Sequence, residues 1–290
     1  MHRWLAIGLV AFFVGASGAG GGPRQLISFW SDRAGFPGVW LAGVDGSDQR
    51  LLTGEIWAKR GSFSPDGSRL VFDGPVDVKA NVVGDNFDLY VVNVDGSSLH
   101  RLTQTPARDV LAAWSPDGKW IAFTRRPAGK RVEEIWLVRP DGTGLRRLRT
   151  GAAPVWSPDG KYIAFGLFAA NHVSVWVMDG SGRAARRVPG VSDSGPTDWS
   201  ADGRRLLLTR WTTGDAGEIW SVNLDGSDPR RLTRNRADDF DAKWSPNGTK
   251  ILFTSDRGGS KDVWVMNADG TRPHRLTTAS SEDWATDWQP

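Results

Sequence analysis

The sequence repeats one pattern six times. In each copy an aromatic residue ends an apolar segment, and in the first five copies a Ser-Pro-Asp-Gly turn or a close variant follows it. Successive copies lie 42 to 51 residues apart. The six aromatic positions are Phe63, Trp114, Trp156, Trp199, Trp244 and Trp288. Self-similarity at this period is typical of solenoids, arrays and propellers, so it limits the fold more than any other feature.

Each repeat contains four short apolar segments, such as KWIAFT and TKILFT, separated by Gly, Pro, Asp and Asn. The segments are too short for helices and rich in Val, Ile, Phe and Trp, which indicates strands joined by turns. A second Asp-Gly turn recurs in every repeat, at Asp45, Asp95, Asp141, Asp179, Asp225 and Asp269. Together these features predict an all-β, six-bladed β-propeller with four antiparallel strands per blade.

The two ends of the repeat region complement each other. The segment LISFWSDRAG, which starts at Leu26, matches a second strand, whereas EDWATDWQP at the end of the chain matches a first strand. We therefore expect the C-terminal strand to join the first blade and close the ring. Closure removes the open sheet edges that a linear array would expose.

The first residues are typical of a secretory signal. A basic tip precedes a mostly apolar run over residues 4–16, and small residues follow it up to Ala19. The run is shorter than the ~20 apolar residues that a membrane-spanning helix needs. We predict a signal peptide at residues 1–19, a spacer at 20–25 and the propeller at 26–290. The expected location is periplasmic or extracellular, without stable membrane insertion.

Composition excludes several classes of site. The chain has no cysteine, so it has no disulfide, thiolate metal site or cysteine nucleophile. Its 36 basic and 33 acidic residues are interspersed, so a nucleic-acid groove is not expected. We expect a monomer.

Repeated residues are expected to be structural. Ten of the sixteen tryptophans fall in two columns, one before the tight turn and one in the third strand, where they can pack between adjacent blades. A basic column in the fourth strand suggests either a patch for an acidic partner or, more simply, charge that discourages edge pairing. It includes Arg101, Arg146, Arg147, Arg186, Arg187, Arg230, Arg231 and Arg275.

The pattern WSPDGKxIAF … IWxVNxDGxxxRRLT resembles the repeats of the TolB-type propeller family, which also occur in prolyl-oligopeptidase-like and tricorn-like proteases. We expect the resemblance to cover the propeller and not the α/β domain that precedes it in full-length TolB, because the predicted propeller begins within about ten residues of the predicted cleavage site. TolB is periplasmic and binds the peptidoglycan-associated lipoprotein. The resemblance therefore implies a binding protein of the cell envelope.

The sequence contains few features that are typical of an enzyme. A Gly-x-Ser-x-Gly elbow is absent. Beyond the signal only His100, His172 and His274 remain, and His172 stands in no catalytic motif. We predict that the protein is not an enzyme and that it has no catalytic residues.

Acidic residues recur near the entrance of the first strands, at Asp109, Asp193, Asp239, Asp241 and Asp283. The first strand of each propeller blade lines the central channel, so these acids are expected near one channel mouth. Three interpretations remain open: solvated residues at strand starts, a binding site for a basic peptide or a cation such as calcium, and a carboxylate pair that acts on glycosides. No cofactor is otherwise predicted.

The leading hypothesis is an exported, non-catalytic propeller that binds a protein or peptide, for example an envelope protein, through the face around the channel. The alternative is a secreted carbohydrate-active or hydrolytic enzyme that uses the carboxylates at the channel mouth. A third possibility is a structural lid for a separately encoded hydrolase.

Overall fold

The computed structural model describes residues 25–54, 56–76, 86–169, 172–211 and 216–290. The predicted signal peptide and residues 20–24 of the predicted spacer lie outside these ranges. Within them the regular secondary structure consists entirely of β-strands. The same ranges contain no helix long and apolar enough to cross a membrane.

The described strands form six separate four-stranded sheets, and every strand pairing is antiparallel. The first three blades, each given from its inner to its outer strand, are β24 (Asp283–Trp288), β1 (Leu26–Ser31), β2 (Gly38–Gly43) and β3 (Arg50–Leu51) for blade 1; β4 (Lys59–Phe63), β5 (Arg69–Pro75), β6 (Phe87–Asn93) and β7 (His100–Arg101) for blade 2; β8 (Arg108–Trp114), β9 (Ile121–Arg126), β10 (Glu134–Val138) and β11 (Arg146–Thr150) for blade 3.

The other three blades have the same order. They are β12 (Ala152–Trp156), β13 (Tyr162–Ala169), β14 (His172–Asp179) and β15 (Arg186–Ser192) for blade 4; β16 (Ser194–Trp199), β17 (Arg205–Arg210), β18 (Glu218–Asn223) and β19 (Arg230–Arg231) for blade 5; β20 (Asp239–Trp244), β21 (Lys250–Ser255), β22 (Asp262–Asn267) and β23 (His274–Arg275) for blade 6. The prediction of a six-bladed propeller is confirmed.

The last strand closes the ring. β24 pairs with β1 from Ile27 opposite Trp288 to Ser31 opposite Asp283. The hydroxyls of Ser28 and Thr286 lie 2.7 Å apart in this seam. The C-terminal strand is thus the inner strand of blade 1, as its sequence predicted.

The Ser-Pro-Asp-Gly segments form tight turns between the first and second strands. The Ser115 hydroxyl donates to Asp117 Oδ1 at 2.6 Å and accepts the Trp120 amide at 2.9 Å. Gly118 has φ +68°, a conformation that glycine adopts without strain. Asp117 also accepts the Lys119 amide at 3.1 Å, and Asn247 accepts the Ser245 hydroxyl and the Thr249 amide in the same way. Serine and aspartate therefore serve the turn, and the exchange of Asp for Asn keeps its geometry.

The apolar core lies between the blades. The buried apolar side chains of the described residues form six clusters, and each cluster joins two neighbouring blades. In the cluster between blades 6 and 1, for example, Ile27 and Phe29 pack with Leu252 and Val265. Each sheet face is thus covered by the next sheet, as propeller geometry requires.

The tryptophans before the turns tie adjacent blades together. Trp199 Nε1 donates to the Val155 carbonyl of blade 4 at 2.9 Å, and Trp288 Nε1 donates to the Lys243 carbonyl of blade 6 at 3.0 Å. Both side chains are buried. Their role between blades agrees with the structural interpretation of the repeated tryptophans.

Replacement of Trp288 should test how far stability depends on the closing seam. We expect Trp288→Ala to lower the free energy of unfolding by about 3–5 kcal/mol, because it removes a buried indole and leaves a cavity. Trp211→Ala is the control: that side chain is 45% exposed and should change stability by about 0.5 kcal/mol or less. Urea unfolding monitored by circular dichroism measures both, and equal losses would contradict a special role for the seam.

Candidate binding site at the channel mouth

A cavity of about 500 Å³ occupies the central channel. All six inner strands line it. Each contributes the residue that lies three positions before the repeated aromatic at the end of the strand. These residues are Arg60, Leu111, Ala153, Pro196, Asp241 and Ala285. We call this space the channel cavity. At the end where the inner strands begin, Phe168 and Trp211 also line it.

Every inner strand carries a register shift against its second strand. In β8, for example, Val110 lies opposite Thr124, whereas Ala113 lies opposite Ala122, so β8 contains one extra residue. Four of the channel-lining residues have positive φ: Arg60, Leu111, Ala153 and Asp241. Such a bulge reverses the alternation of side chains and therefore decides which residues face the channel.

Three of the predicted site acids lie before the bulge and are paired inside the blades. Asp109 accepts two hydrogen bonds of 2.7 Å from Arg125, and Asp239 accepts two of 2.8 Å from Arg257. Asp283 pairs with Arg33. All three acidic side chains are fully buried. Their charges are thus already balanced by arginines of the same blade.

The same arginines lie over the tryptophans of the third strands. The Arg125 guanidinium carbon is 4.6 Å from the Trp136 ring centroid, and that of Arg257 is 5.0 Å from Trp264. Arg33 lies in the same way over Trp40. We call each such set an Asp-Arg-Trp clamp. An ion pair with a cation–π contact joins the first, second and third strands of the blade.

The other two predicted acids have different surroundings. Asp241 lines the channel cavity and has φ +51°. Asp193 lies just before β16. Its Oδ1 atom is within hydrogen-bond distance of His172 Nδ1, at 2.9 Å. The His172 side chain is largely exposed, and the Asp193 side chain is 42% exposed. Of the five acids, Asp241 alone lines the channel cavity, and its role in binding stays a prediction.

Four arginines of the basic column in the fourth strands form ion pairs within their own blades. Arg101, Arg147, Arg231 and Arg275 each pair with an acid of the neighbouring third strand: Asp88, Glu134, Glu218 and Asp262 respectively. These pairs fix the short outer strands to the sheet. These four arginines of the column therefore have a structural role within their blades, and both earlier interpretations of the column stay predictions.

In three of the second Asp-Gly turns an asparagine stands two positions before the aspartate, at Asn93, Asn223 and Asn267, and it hydrogen-bonds within its own turn. Asp95 accepts from the Ser97 amide and hydroxyl, and the Asn93 amide donates to the same hydroxyl at 2.9 Å. Hydrogen bonds from Ser97 lower the pKa of Asp95. Among the described residues, no group of three or more His, Cys, Asp or Glu side chains could hold a metal ion.

Aromatic residues outside the two repeated columns gather at the mouth. The Trp284 ring lies edge-on to Trp30 and to Phe240, at centroid distances of 5.5 and 5.2 Å. Lys261 Nζ lies 4.7 Å from the Trp284 centroid. Sequence reasoning missed these residues because it followed the repeats. The signal that would have found them is a tryptophan that falls outside both columns.

A second space, the side cavity, adjoins the channel cavity and measures about 450 Å³. Lys59, Arg60, Arg108, Asp73 and Trp30 line it. Burial raises the pKa of Asp73 to about 6, although the three basic side chains oppose the shift. The side cavity thus combines cationic groups with a buried carboxyl that protonates near pH 6.

Three charged side chains lie one position before their aromatics. Asp198 Oδ2 accepts the Trp244 amide at 2.7 Å, and Asp287 Oδ2 accepts the Phe63 amide at 2.9 Å, so each joins its blade to the next. Lys243 Nζ donates to the Thr197 carbonyl at 2.7 Å. Burial raises the pKa of Asp198 to about 6, with the Lys243 charge acting against it. Burial also raises the pKa of Asp287.

The sequence model of one protein family, the TolB beta propeller domain, matches residues 141–290. The chain belongs to the TolB beta propeller domain family. A TolB homolog of Chlorobium luteolum is 30% identical over 197 residues, which are 67% of this chain and 34% of that protein. The chain spans about a third of the length of its curated relatives: 34% of this TolB homolog and 36% of a second relative, from Agrobacterium fabrum.

Solved structures share the propeller fold. The crystal structure of TolB from Acinetobacter baumannii superposes with a TM-score of 0.77, at 18% identity, over 92% of this chain and 67% of that one. An oligogalacturonate lyase of Vibrio parahaemolyticus gives a TM-score of 0.58, at 13% identity, over 79% of this chain and 72% of that one. A TolB protein and an oligogalacturonate lyase thus share this fold, so function must be argued from the site.

Substitution of Asp109 should separate a structural acid from an acid of the channel. Asp109→Ala leaves the Arg125 guanidinium buried without its counter-charge, so we expect a loss of about 3–5 kcal/mol in unfolding free energy. Asp241→Asn retains a residue that tolerates positive φ, and we expect less than about 1 kcal/mol. Urea titration at pH 7 checks both values, and a stable Asp109→Ala protein would argue against the clamp.

Asp198 should make stability depend on pH. Its folded-state pKa of about 6 exceeds the ordinary value of 3.8, so the folded state binds this proton more tightly than the unfolded state does. The stabilisation by the proton is therefore lost as pH rises from about 4 to 6. Relative to the wild type, Asp198→Asn should gain on the order of 2 kcal/mol across this window. Urea unfolding at pH 4.5, 5.5 and 6.5 measures the difference, and parallel curves for the two proteins would refute the assignment.

Proposed function

We propose that this protein is an exported, non-catalytic binding module that docks a protein or peptide partner of the cell envelope at its channel mouth. Export rests on the signal-like residues 1–19. The binding role rests on the mouth itself, where the channel cavity opens between side chains that do not repeat from blade to blade.

The observation that carries the proposal is the pair Phe168 and Trp211. Phe168 is 59% exposed and Trp211 is 45% exposed, and both line the channel cavity from the neighbouring blades 4 and 5. Large aromatic residues exposed beside a concave apolar surface are typical of protein interaction sites, because they bury much area at small entropic cost. A partner that covers both rings would bury them against the mouth.

The cavity behind these rings suits an apolar side chain of the partner. Leu111, Ala153, Pro196 and Ala285 supply apolar walls from four different blades. The charged side chains of the wall come from blades 2 and 6: Arg60, Asp238, Asp241, Lys243 and Lys261. An apolar pocket with a few convergent polar groups is the usual form of a recognition site.

The clamps support binding over glycoside hydrolysis. A glycosidase needs two carboxyl groups that face the substrate across the scissile bond. Asp109, Asp239 and Asp283 are buried and paired with arginines, so their carboxyl groups do not face the channel as a reactive pair. The likeness to an oligogalacturonate lyase concerns the fold alone.

Family membership also supports the proposal. TolB proteins are envelope proteins that bind a protein partner, and this chain carries their propeller. The chain corresponds to 34% of the length of the Chlorobium TolB homolog, so the partner is proposed as an envelope protein and not as a specific one.

The test is capture of an envelope protein by the full chain and by variants of its mouth. Phe168→Ser combined with Trp211→Ser should reduce the captured amount at least about tenfold, because two central aromatic contacts are lost. Tyr162→Ser is the matched control, since Tyr162 is 43% exposed on the same strand as Phe168 but at its opposite end. Quantitative mass spectrometry of the retained proteins provides the measurement.

Equal capture by the mouth variant and by the wild type would contradict docking at the mouth. The enzymatic alternative is tested on the same proteins by the release of reducing ends from acidic and neutral polysaccharides. An activity of the wild type that disappears in Asp241→Asn would overturn the non-catalytic assignment.

A further inference from the structure

The side cavity presents two buried donors that have no acceptor. Within the part of the chain that the structure describes, Arg108 Nε and Trp30 Nε1 are buried atoms without a hydrogen-bond partner. Both residues line the side cavity. A buried donor without an acceptor is costly, which makes such atoms in a cavity wall a sign of a ligand that supplies acceptor oxygens.

The side cavity and the groove beside it together carry an excess of basic side chains. Lys59, Arg60 and Arg108 line it, opposed by Asp73, Glu133 and Asp241. Arg108 also lines an adjoining groove whose charged residues, among those described, are all basic: Arg108, Arg126, Lys130 and Arg131. The two spaces together hold six basic and three acidic side chains, and one of these acids, Asp73, protonates near pH 6.

The backbone holds one of these cations in place. Arg60 is the bulge residue of β4, with φ +43°, and it lines the side cavity and the channel cavity together. Leu111, the bulge residue of β8, lies in both walls as well, and its amide donates to Asp73 at 3.4 Å. The bulges thus bring a cation from the channel wall to the buried carboxyl.

We propose that the side cavity binds a carboxylate carried by an acidic segment of the protein partner, with Arg60, Arg108 and the Trp30 indole as donors. This inference rests on the proposed function and names the chemistry of the partner. Guanidinium groups bind carboxylates through charge-assisted hydrogen bonds, and Trp30 Nε1 can donate one more.

A peptide fits the two adjoining cavities better than an acidic sugar does. The side cavity shares Arg60, Leu111 and Trp284 with the channel cavity, so one ligand can enter both. The channel cavity has apolar walls and exposed aromatic rings at its rim, whereas the side cavity contributes the guanidinium groups of Arg60 and Arg108. A peptide can place an apolar side chain in the first and a carboxylate in the second.

The test uses fluorescein-labelled hexaglutamate and hexaglutamine with the full chain, measured by fluorescence anisotropy at low salt. Hexaglutamate should bind at least about tenfold more tightly than hexaglutamine. Arg60→Gln and Arg108→Gln should each weaken hexaglutamate binding about tenfold, because each removes a charged donor. Arg139→Gln is the matched control: its guanidinium lies over Trp120, away from both cavities, and the affinity should not change.

The pH profile supplies an independent readout. Asp73 is faced by Lys59 and Arg60 of its own blade and by Arg108 and the Leu111 amide of blade 3. Its protonation removes a negative charge beside the bound carboxylate, so hexaglutamate should bind several-fold more tightly at pH 5.5 than at pH 7.5. Asp73→Asn should abolish this difference, whereas Asp198→Asn, a buried acid with a similarly raised pKa outside the side cavity, should retain it.

Each outcome decides the inference. Equal binding of the two peptides, or equal weakening by Arg60→Gln, Arg108→Gln and Arg139→Gln, would show unspecific attraction and overturn it. Tighter binding of trigalacturonate than of hexaglutamate at the same site would assign an acidic saccharide instead and would also overturn it. If one variant fails to fold, as judged by near-ultraviolet circular dichroism, the other arginine variant decides.

The inference and the proposed function fail in different ways. If envelope capture depends on Phe168 and Trp211 but is unchanged in folded Arg60→Gln and Arg108→Gln, the carboxylate site is wrong and docking at the mouth stands. If capture depends on neither pair, the proposed function is wrong.

Discussion

Closure of the ring is the constraint on which the rest of the structure depends. Each apolar cluster lies between two blades, so no described blade has a core of its own. A sheet without its neighbour would expose one apolar face, and this applies equally to the first and the last blade. The pairing of β24 with β1 removes both exposed faces by a single seam. The six inner strands are then held around one axis, which creates the channel.

The bulge in each inner strand divides that strand into two functional parts. Residues before the bulge, such as Asp109 and Asp239, turn into the blade and form clamps with Arg125 and Arg257. The residue at the bulge, such as Asp241, faces the channel. The first part stabilises the sheet and the second part defines the channel wall. One extra residue per strand therefore separates acids that look equivalent in sequence.

The repeat predicted the fold because its turn residues, strand lengths, aromatic columns and complementary chain ends all indicated the same closed propeller. The same reasoning could place acids near the mouth but could not orient them, because counting from Trp114 or Trp244 assumes unbroken alternation and the bulge breaks it. Trp30 and Trp284 were missed for a different reason. They belong to no column, and their meeting at the mouth depends on the closure of blade 1.

Residues that recur in every blade are explained by contacts that recur in every blade, so function is best sought where the symmetry fails. At the channel mouth the side chains differ between blades, and the differences are grouped by blade. Exposed aromatic rings stand on blades 4 and 5, whereas Arg60 and Arg108 stand on blades 2 and 3. A ligand that contacts both the rings and the arginines would carry apolar and anionic groups at different positions, and this would fix its orientation. Such polarity would serve little in a symmetric structural plug, whereas it gives a binding protein direction and specificity.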